Sequence, residues 1–567
     1  MSSSARGPRD DADGSHAADG PGHHHELAYP STKEVQQVSL LNPGAPAQTG
    51  VAEKGLAAGM VGLIGAVVIG ISVVAPAYTL TSGLGPTIGT VGTFVPAILL
   101  LGFLPMLLVA IGYRELNNKV PDSGTSFTWA TQAFGPYVGW MGGWGLVAAS
   151  VIVLSNLAAV GVDFTFLLLA EVTGRPEIAD LTTNLWINIP LTLVYLAAAA
   201  WISYRGMDAT KNLQYVLVMF QLVALGGFAI AAIVQASSGT GFDVTPFQWE
   251  WFNPFAVGDF SVVAAGVSLS IFLFWGWDVT LTMNEETKDP EKTPGRAGSL
   301  TVVTIIAIYV LVALGVIMWA GVGTGELGAG NPDNQESLFA LLGGPIMGPF
   351  AILMFMAVLV SSLASLQSTM VAPARTLLAM GFYHAVPPAL ARVSARHRSP
   401  SVATWVCAAC AAVFYAVTRL ISENALWDTI TAPGLMICFY YGITALACVW
   451  YFRREWFTSV GNALTTFLFP LIGGFVLLVM FCVTALDSTD PDDGSGSSVF
   501  GVGTVFILGM GVLAIGVVLM MWTRLRHPAY FRGETLPQTD STRPIPIIRP
   551  DDDGTAVVRD PNERTHS

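Results

Sequence analysis

Gly70-Ile-Ser-Val-Val-Ala-Pro-Ala-Tyr78 and Ile271-Phe-Leu-Phe-Trp-Gly-Trp-Asp278 are the two stretches on which the fold turns. Each sits inside an apolar run long enough to cross a bilayer as a helix, which takes roughly 20 residues. Each also carries a helix-weakening residue near the middle of its run. Pro76 lacks a backbone N–H and clashes with the preceding turn. Gly276 stands between two tryptophans. The stretches lie about 200 residues apart, at the first position of two successive blocks of five apolar runs. Paired interruptions at matching positions point to inverted repeats with a binding site near the midplane. Taken singly, a simple kink would account for Pro76 and close helix packing for Gly276.

Working outward, the runs fall at 57–82, 89–113, 138–163, 185–203, 211–236, 260–284, 299–322, 346–378, 401–420, 428–452, 461–486 and 499–523. They are continuously apolar, which disfavours the alternating pattern of a membrane β-barrel. The composition agrees: 53% of the 567 residues are hydrophobic and 11% charged, against about 25% charged in soluble domains. The predicted fold class is therefore an all-α polytopic membrane protein of about twelve spans. Residues 1–54 and 526–567 read as largely disordered cytoplasmic tails around a membrane domain at 55–525. The N-terminal stretch has no apolar core and is not a cleavable signal. His23–His25 within it is better read as solvated tail than as a metal site. All five cysteines (Cys407, Cys410, Cys438, Cys448 and Cys482) lie in apolar runs, as small hydrophobes do.

Charge orients these spans. With the N-terminus inside, Arg114, Lys119, Arg205, Lys211, Lys288, Lys292, Arg296, Arg392, Arg396, Arg398, Arg453 and Arg454 share one set of loops, and Arg375 ends a helix on that side. Of the 26 Lys and Arg, only Arg175 and Arg419 fall opposite. This is the positive-inside asymmetry, and it predicts both termini in the cytoplasm. The opposite loops are acidic, with Glu171, Glu177, Asp180, Asp243, Glu250, Asp333, Glu336, Asp487, Asp490, Asp492 and Asp493. The overall −13 charge comes from those loops and the tails, and it implies no nucleic-acid partner. Phe247-Gln-Trp-Glu-Trp-Phe252 reads as an interfacial belt rather than a lid.

Broken helices expose backbone N–H and C=O groups, and half-helix N-termini favour an anion such as a carboxylate. Asp278 stands within a span, where an ionisable group is by default functional. Trp275 and Trp277 flank a place for an ammonium group. Asp278 could instead cap the second half of its helix. Asp163 is expected at a helix end. No histidine lies in a span, no Gly-x-x-x-x-Gly-Lys-Ser/Thr cradles ATP, and no span carries regularly spaced arginines. A histidine relay, primary active transport and voltage sensing are disfavoured. So is an enzyme, since no nucleophile–base pair or metal-ligand cluster occurs in the spans; no cofactor or metal is expected.

Four stretches resemble the amino acid–polyamine–organocation superfamily, and within it the bacterial amino-acid permeases. They are Gly70 to Pro76; Pro121-Asp-Ser-Gly-Thr-Ser-Phe-Thr-Trp-Ala-Thr-Gln-Ala-Phe-Gly-Pro136 with Gly139-Trp140; Phe274 to Asp278 with Asn284-Glu-Glu-Thr-Lys-Asp-Pro290 and Pro294; and Ala372-Pro-Ala-Arg375 with Pro387. The resemblance covers roughly 55–525. It implies a leucine-transporter-type fold of five plus five inverted repeats and two further helices. It also implies alternating access across the cytoplasmic membrane for amino acids or amines, coupled to protons or run as exchange.

Carried over by position, the resemblance implies that a substrate carboxylate meets backbone around Ser72, Val73, Val74 and Ala75. The amino group would meet carbonyls near Ile71 and around Phe274, Trp275 and Gly276. Trp275 and Trp277 would shape and gate the pocket, and Asp278 takes the family's acidic position. The first span has Val73-Val74-Ala75 where the family has a glycine-rich form. Some proton-coupled relatives have a helix-5 lysine in place of a sodium ion, and Gln221 stands at that position here. Ser361, Ser362 and Ser365 are candidate sodium ligands, although serines commonly pack between helices. The expected function is a secondary, proton-coupled amino-acid permease; sodium is the other candidate ion. A polyamine or cationic-amine transporter, an exchanger of the same fold, and a transport-inactive sensor or scaffold are the alternatives.

Overall fold

The computed structural model describes residues 54–334, 338–421, 429, 432–491 and 497–539, and the strands Ile547–Pro550 and Ala556–Arg559. All of these belong to one compact unit that begins at Gly50. His23–His25, Glu336, Asp492, Asp493 and most of both expected tails lie outside the described residues.

The helices follow in chain order. The first span consists of α1 (Leu63–Val74) and α2 (Pro76–Val91). Next come α3 (Val95–Lys119), a short α4 (Ser126–Phe134), α5 (Pro136–Thr173), α6 (Leu185–Tyr204) and α7 (Met207–Ser237). The sixth span is α8 (Phe260–Leu273) and a one-turn α9 (Val279–Thr282). Then follow α10 (Thr293–Ala320), α11 (Leu338–Met347), α12 (Ile352–Thr369), α13 (Val371–Phe382), α14 (Ser401–Ile421), α15 (Pro433–Tyr451), α16 (Val460–Asp487), α17 (Thr504–Arg526) and α18 (Pro528–Phe531). Proline opens α2, α5 and α15, where its missing N–H would have had no helical partner. A π-helical stretch, Ala463–Leu468, lies in α16.

Ten stretches of the described residues are long and apolar enough to cross a membrane. One of them, Leu63–Lys119, has 57 residues and reverses at Gly92, where φ is 59°. It therefore accounts for two passes. The sixth span is missing from the ten because its helix stops at Leu273 after 14 residues. Counting the first stretch twice and adding the interrupted span gives the twelve expected passes.

Several sequence expectations need adjusting. α5 runs 38 residues and ends at Gly174, whose φ of 64° suits glycine at a helix end. Asp163 is thus inside a helix and not at its end; it accepts from Asn188 Nδ2 at 3.0 Å. The eighth run divides into α11, α12 and α13. The twelfth helix starts at Thr504 rather than 499, because Phe500 and Gly501 turn a hairpin between β1 (Ser498–Val499) and β2 (Val502–Gly503). A second hairpin pairs β3 (Ile547–Pro550) with β4 (Ala556–Arg559). The packed unit also extends past both expected tail boundaries. Lys54 is buried, as are Tyr530, Phe531 and Leu536, and Thr539 N–H donates to Gln132 O at 3.1 Å. Two aromatic rings and a leucine give this segment enough apolar area to bury.

Two sets of helices matter for the site. In the first, α3 packs on α8 and α10 while α1 and α9 pack on α10; in the second, α4, α12, α13, α14 and α15 all pack on α5; the two meet where α1 touches α12 and α3 touches α15. α7 touches members of both.

Candidate functional site

The first interruption is at Ala75, which has φ 55° and ψ 61°. A left-handed alanine is uncommon and costs energy. Pro76 has no N–H to return to the chain, so the regular hydrogen-bond ladder cannot pass through it. Neighbouring helices satisfy two of the groups released. Ser365 Oγ on α12 donates to Val73 O at 2.8 Å, and Ser361 Oγ accepts from Tyr78 N–H at 3.3 Å. Thr79 Oγ1 donates to Val74 O at 2.6 Å. Two of the three serines considered as cation ligands thus complete the broken backbone of the first span. The third, Ser362, donates to Leu359 O at 2.9 Å within its own helix.

The second interruption is the turn from Phe274 to Asp278, with Gly276 at φ 104°. Tyr309 Oη donates to the released Leu273 carbonyl at 2.9 Å. The two breaks touch. A Cβ on Gly276 would lie 2.6 Å from Val73 Cγ1. Glycine is required here both for its conformation and for this close approach.

Asp278 is buried, and its side chain does not cap α9. Its Oδ1 accepts from Tyr441 Oη at 2.9 Å and its Oδ2 from Tyr440 Oη at 3.2 Å. Tyr440 Oη in turn accepts from Trp275 Nε1 at 2.7 Å, and Tyr441 Oη accepts from Gly276 N–H at 3.4 Å. Of the buried carboxylates Asp122, Asp278 and Glu286, Asp278 is the one held by hydroxyls rather than by a cation.

A narrow cleft lies between the breaks, lined chiefly by Val73, Leu146, Ser150, Trp275, Asp278 and Tyr440. Val73, Trp275, Gly276 and Asp278 therefore come together as a lining. Ile71, Ser72, Val74, Ala75, Phe274 and Trp277 do not line it. Ser72 Oγ turns away and donates to Gln214 Oε1 at 2.6 Å, with Ser368 Oγ 2.9 Å off. Phe274 packs against Phe103 and Tyr309. Trp277 is fully buried against Tyr113 and Tyr441.

Gln221 is buried, and neither end of its amide has a partner. The α7 residue that bridges α1 and α12 is instead Gln214, which also donates to Ala364 O at 2.9 Å and Gln367 Oε1 at 2.7 Å. Sequence reading overlooked Gln214, Tyr440 and Tyr441. Adjacent tyrosines in the middle of an apolar span were a usable signal, because a buried phenol seeks a hydrogen-bond partner.

A second polar cluster closes the face that carries the basic loops. Lys54 Nζ reaches Asp122 Oδ2 at 2.7 Å and Glu285 Oε1 at 2.5 Å. Arg375 pairs with Glu286 through Nε at 2.5 Å and Nη2 at 3.0 Å. Tyr383 Oη donates to Asp122 Oδ2 at 2.8 Å and Thr128 Oγ1 to Oδ1 at 2.7 Å. Burial works to lower Lys54, but the Asp122 and Glu285 carboxylates outweigh it and hold the amine above its ordinary value. Burial works to raise Asp122, yet Lys54 and its hydrogen-bond donors leave it below the ordinary carboxylate value. Burial keeps Glu286 above that range, with Arg375 opposing.

Twelve apolar passes, two of them broken and in contact over a small cavity, define a membrane transporter rather than an enzyme. The family described as amino acid permease matches residues 56–521, and the chain belongs to that family. It is 28% identical over 359 residues to the branched-chain amino acid permease BcaP of Bacillus subtilis, covering 60% of this chain and 70% of the relative. It is 22% identical over 390 residues to the human large neutral amino acids transporter small subunit 2, covering 68% of each. It is 25% identical over 256 residues to the low-affinity putrescine importer PlaP of Escherichia coli, covering 44% of this chain and 52% of that one.

Proposed function

We propose that this permease imports a small aliphatic amino acid across the cytoplasmic membrane by alternating access, coupled to protons. The observation that carries the reading is the contact of Gly276 with Val73 beside the cavity. It leaves unwound backbone of both half-broken spans, Ser150 and Asp278 around one space. Backbone groups there can take an ammonium and a carboxylate, while Val73, Leu146, Val279 and Ala372 offer an apolar wall to a side chain. The branched-chain permease among the relatives supports the same substrate size.

Asp278 is the proton carrier in this reading, since it is a buried carboxylate at the cavity that no cation neutralises among the described residues. Residues 55–525 form the transport unit. Both termini are cytoplasmic, because the basic loops share one face. The decisive experiment is uptake of a panel of neutral amino acids into proteoliposomes with and without an inward proton gradient. Leucine, isoleucine or valine uptake stimulated by the gradient is expected; no flux for the whole panel sinks the proposal.

A diamine substrate is the second reading. Asp278 favours it, as an uncompensated carboxylate at the cavity, and so does the relative named as a putrescine importer. Competition by putrescine, with none by leucine, would select it.

A further inference from the structure

We infer that residues 528–539 form a strap that holds the ion-pair cluster of the basic face in its closed arrangement. The segment is built into the fold. Tyr530 is fully buried, stacks on Phe127 with ring centres 5.5 Å apart, and donates its hydroxyl to Pro136 O at 2.9 Å. The same hydroxyl lies 2.8 Å from Thr131 Oγ1. Thr535 Oγ1 donates to Tyr383 O at 2.6 Å, and Thr539 N–H donates to Gln132 O at 3.1 Å. Phe531 and Leu536 complete an apolar cluster with Trp140, Met380 and Phe382.

These bonds all end on α4, the start of α5 and the end of α13. The same elements present Thr128 and Tyr383 to Asp122. Asp122 holds Lys54, which leads into α1, while Arg375 of α13 holds Glu286 behind α9. Both ion pairs therefore cross from one helix set to the other. Opening this face requires Lys54 and Glu286 to leave Asp122 and Arg375. The strap packs on the second set and on Met520 of α17, and its bonds add nothing to the crossing pairs directly. It fixes α4 against Tyr383, and so keeps both hydroxyl donors aimed at Asp122. A segment that prefers the closed arrangement must stabilise it, and release of the segment must make opening easier. The alternating access of the proposed function supplies the motion on which this strap would act.

The test uses the full chain in nanodiscs and amide hydrogen exchange, comparing wild type with the double variant Tyr530→Phe/Thr535→Val. Both changes keep side-chain bulk and delete hydroxyls. Faster exchange is expected in 529–539. It is also expected in 121–125, where Ser123 N–H is held across the gate by Glu285 Oε1 at 3.0 Å. The increase at 121–125 should be about tenfold, the factor that about 1.4 kcal/mol, the upper range for a net hydrogen bond, makes in an equilibrium. The acidic-face loop 321–330 should not change. The proposal fails if 529–539 stays protected, if 529–539 is freed while 121–125 exchanges as in wild type, or if 321–330 rises equally. Exchange needs no substrate. An incorrect substrate assignment would silence an uptake assay and leave this result readable.

Discussion

Replacing Gly276 by alanine tests the contact between the two broken spans. The backbone there has φ 104°, and holding a side chain in such a sparsely populated region costs about 1–3 kcal/mol. The new Cβ would sit 2.6 Å from Val73 Cγ1, about 0.8 Å inside the 3.4 Å at which ordinary contact begins. Val73 has little room to yield. It is β-branched, 4% exposed, and its carbonyl is held by Ser365. Overpacking of this kind costs about 1–3 kcal/mol. Together the costs are roughly 2–6 kcal/mol, and about 3 kcal/mol corresponds to a loss on the order of a hundredfold. The assay is initial-rate amino-acid uptake into proteoliposomes, normalised to monodisperse reconstituted protein. Val73→Ala added to Gly276→Ala removes the clashing methyl while leaving the backbone strain. The pair should recover roughly tenfold over Gly276→Ala alone, as interacting neighbours do. Wild-type uptake in Gly276→Ala would refute the reasoning, and so would a double variant no better than the single one.

Three further outcomes are expected. Asp278→Asn should abolish stimulation by a proton gradient while substrate counterflow persists; gradient-stimulated uptake at the wild-type level would remove Asp278 from coupling. Ser365→Ala leaves Val73 O without its donor and should cost about 1–3 kcal/mol, read as a lower unfolding temperature in detergent; an unchanged temperature would contradict the role assigned to Ser365. Lys54 lies above its ordinary 10.5 and Asp122 below its ordinary 3.8. The lysine's contribution is complete below 10.5 and fades as pH rises through its raised value. The aspartate's is complete above 3.8 and fades as pH falls through its lowered one. Lys54→Gln should therefore lower the unfolding temperature equally at about pH 6 and about pH 8, and a difference between the two would show that the pair titrates in that window.

Much of the architecture was legible because a bilayer imposes its own period. Apolar length gave the spans, and Pro76 and Gly276 marked two interruptions in them. The cavity lining was half legible. Val73, Trp275, Gly276 and Asp278, expected from the resemblance to meet substrate, line it. The Ser72 hydroxyl turns to Gln214 and Trp277 packs on Tyr113 and Tyr441, since a broken helix leaves the direction of each side chain to its neighbours. Leu146 and Ser150 sit in an apolar run with nothing in the sequence to single them out. The helix-5 position shows the same limit: Gln221 and Gln214 are two turns apart in an apolar stretch, and only packing shows that Gln214 reaches α1 and α12.

The opening pair of stretches separates the two sources of information. Sequence alone marked Gly70–Tyr78 and Ile271–Asp278 as the weak points of their helices, because a missing N–H and a missing Cβ are local facts. It determined twelve passes, because the membrane-crossing length is also local. Tertiary structure alone decided that the interruptions meet, with Gly276 against Val73, and that Tyr440 and Tyr441 hold Asp278. It also decided that a segment counted as tail packs under Lys54's partners. Those contacts join residues more than 150 positions apart, and no local pattern encodes which distant side chain will fill a given space.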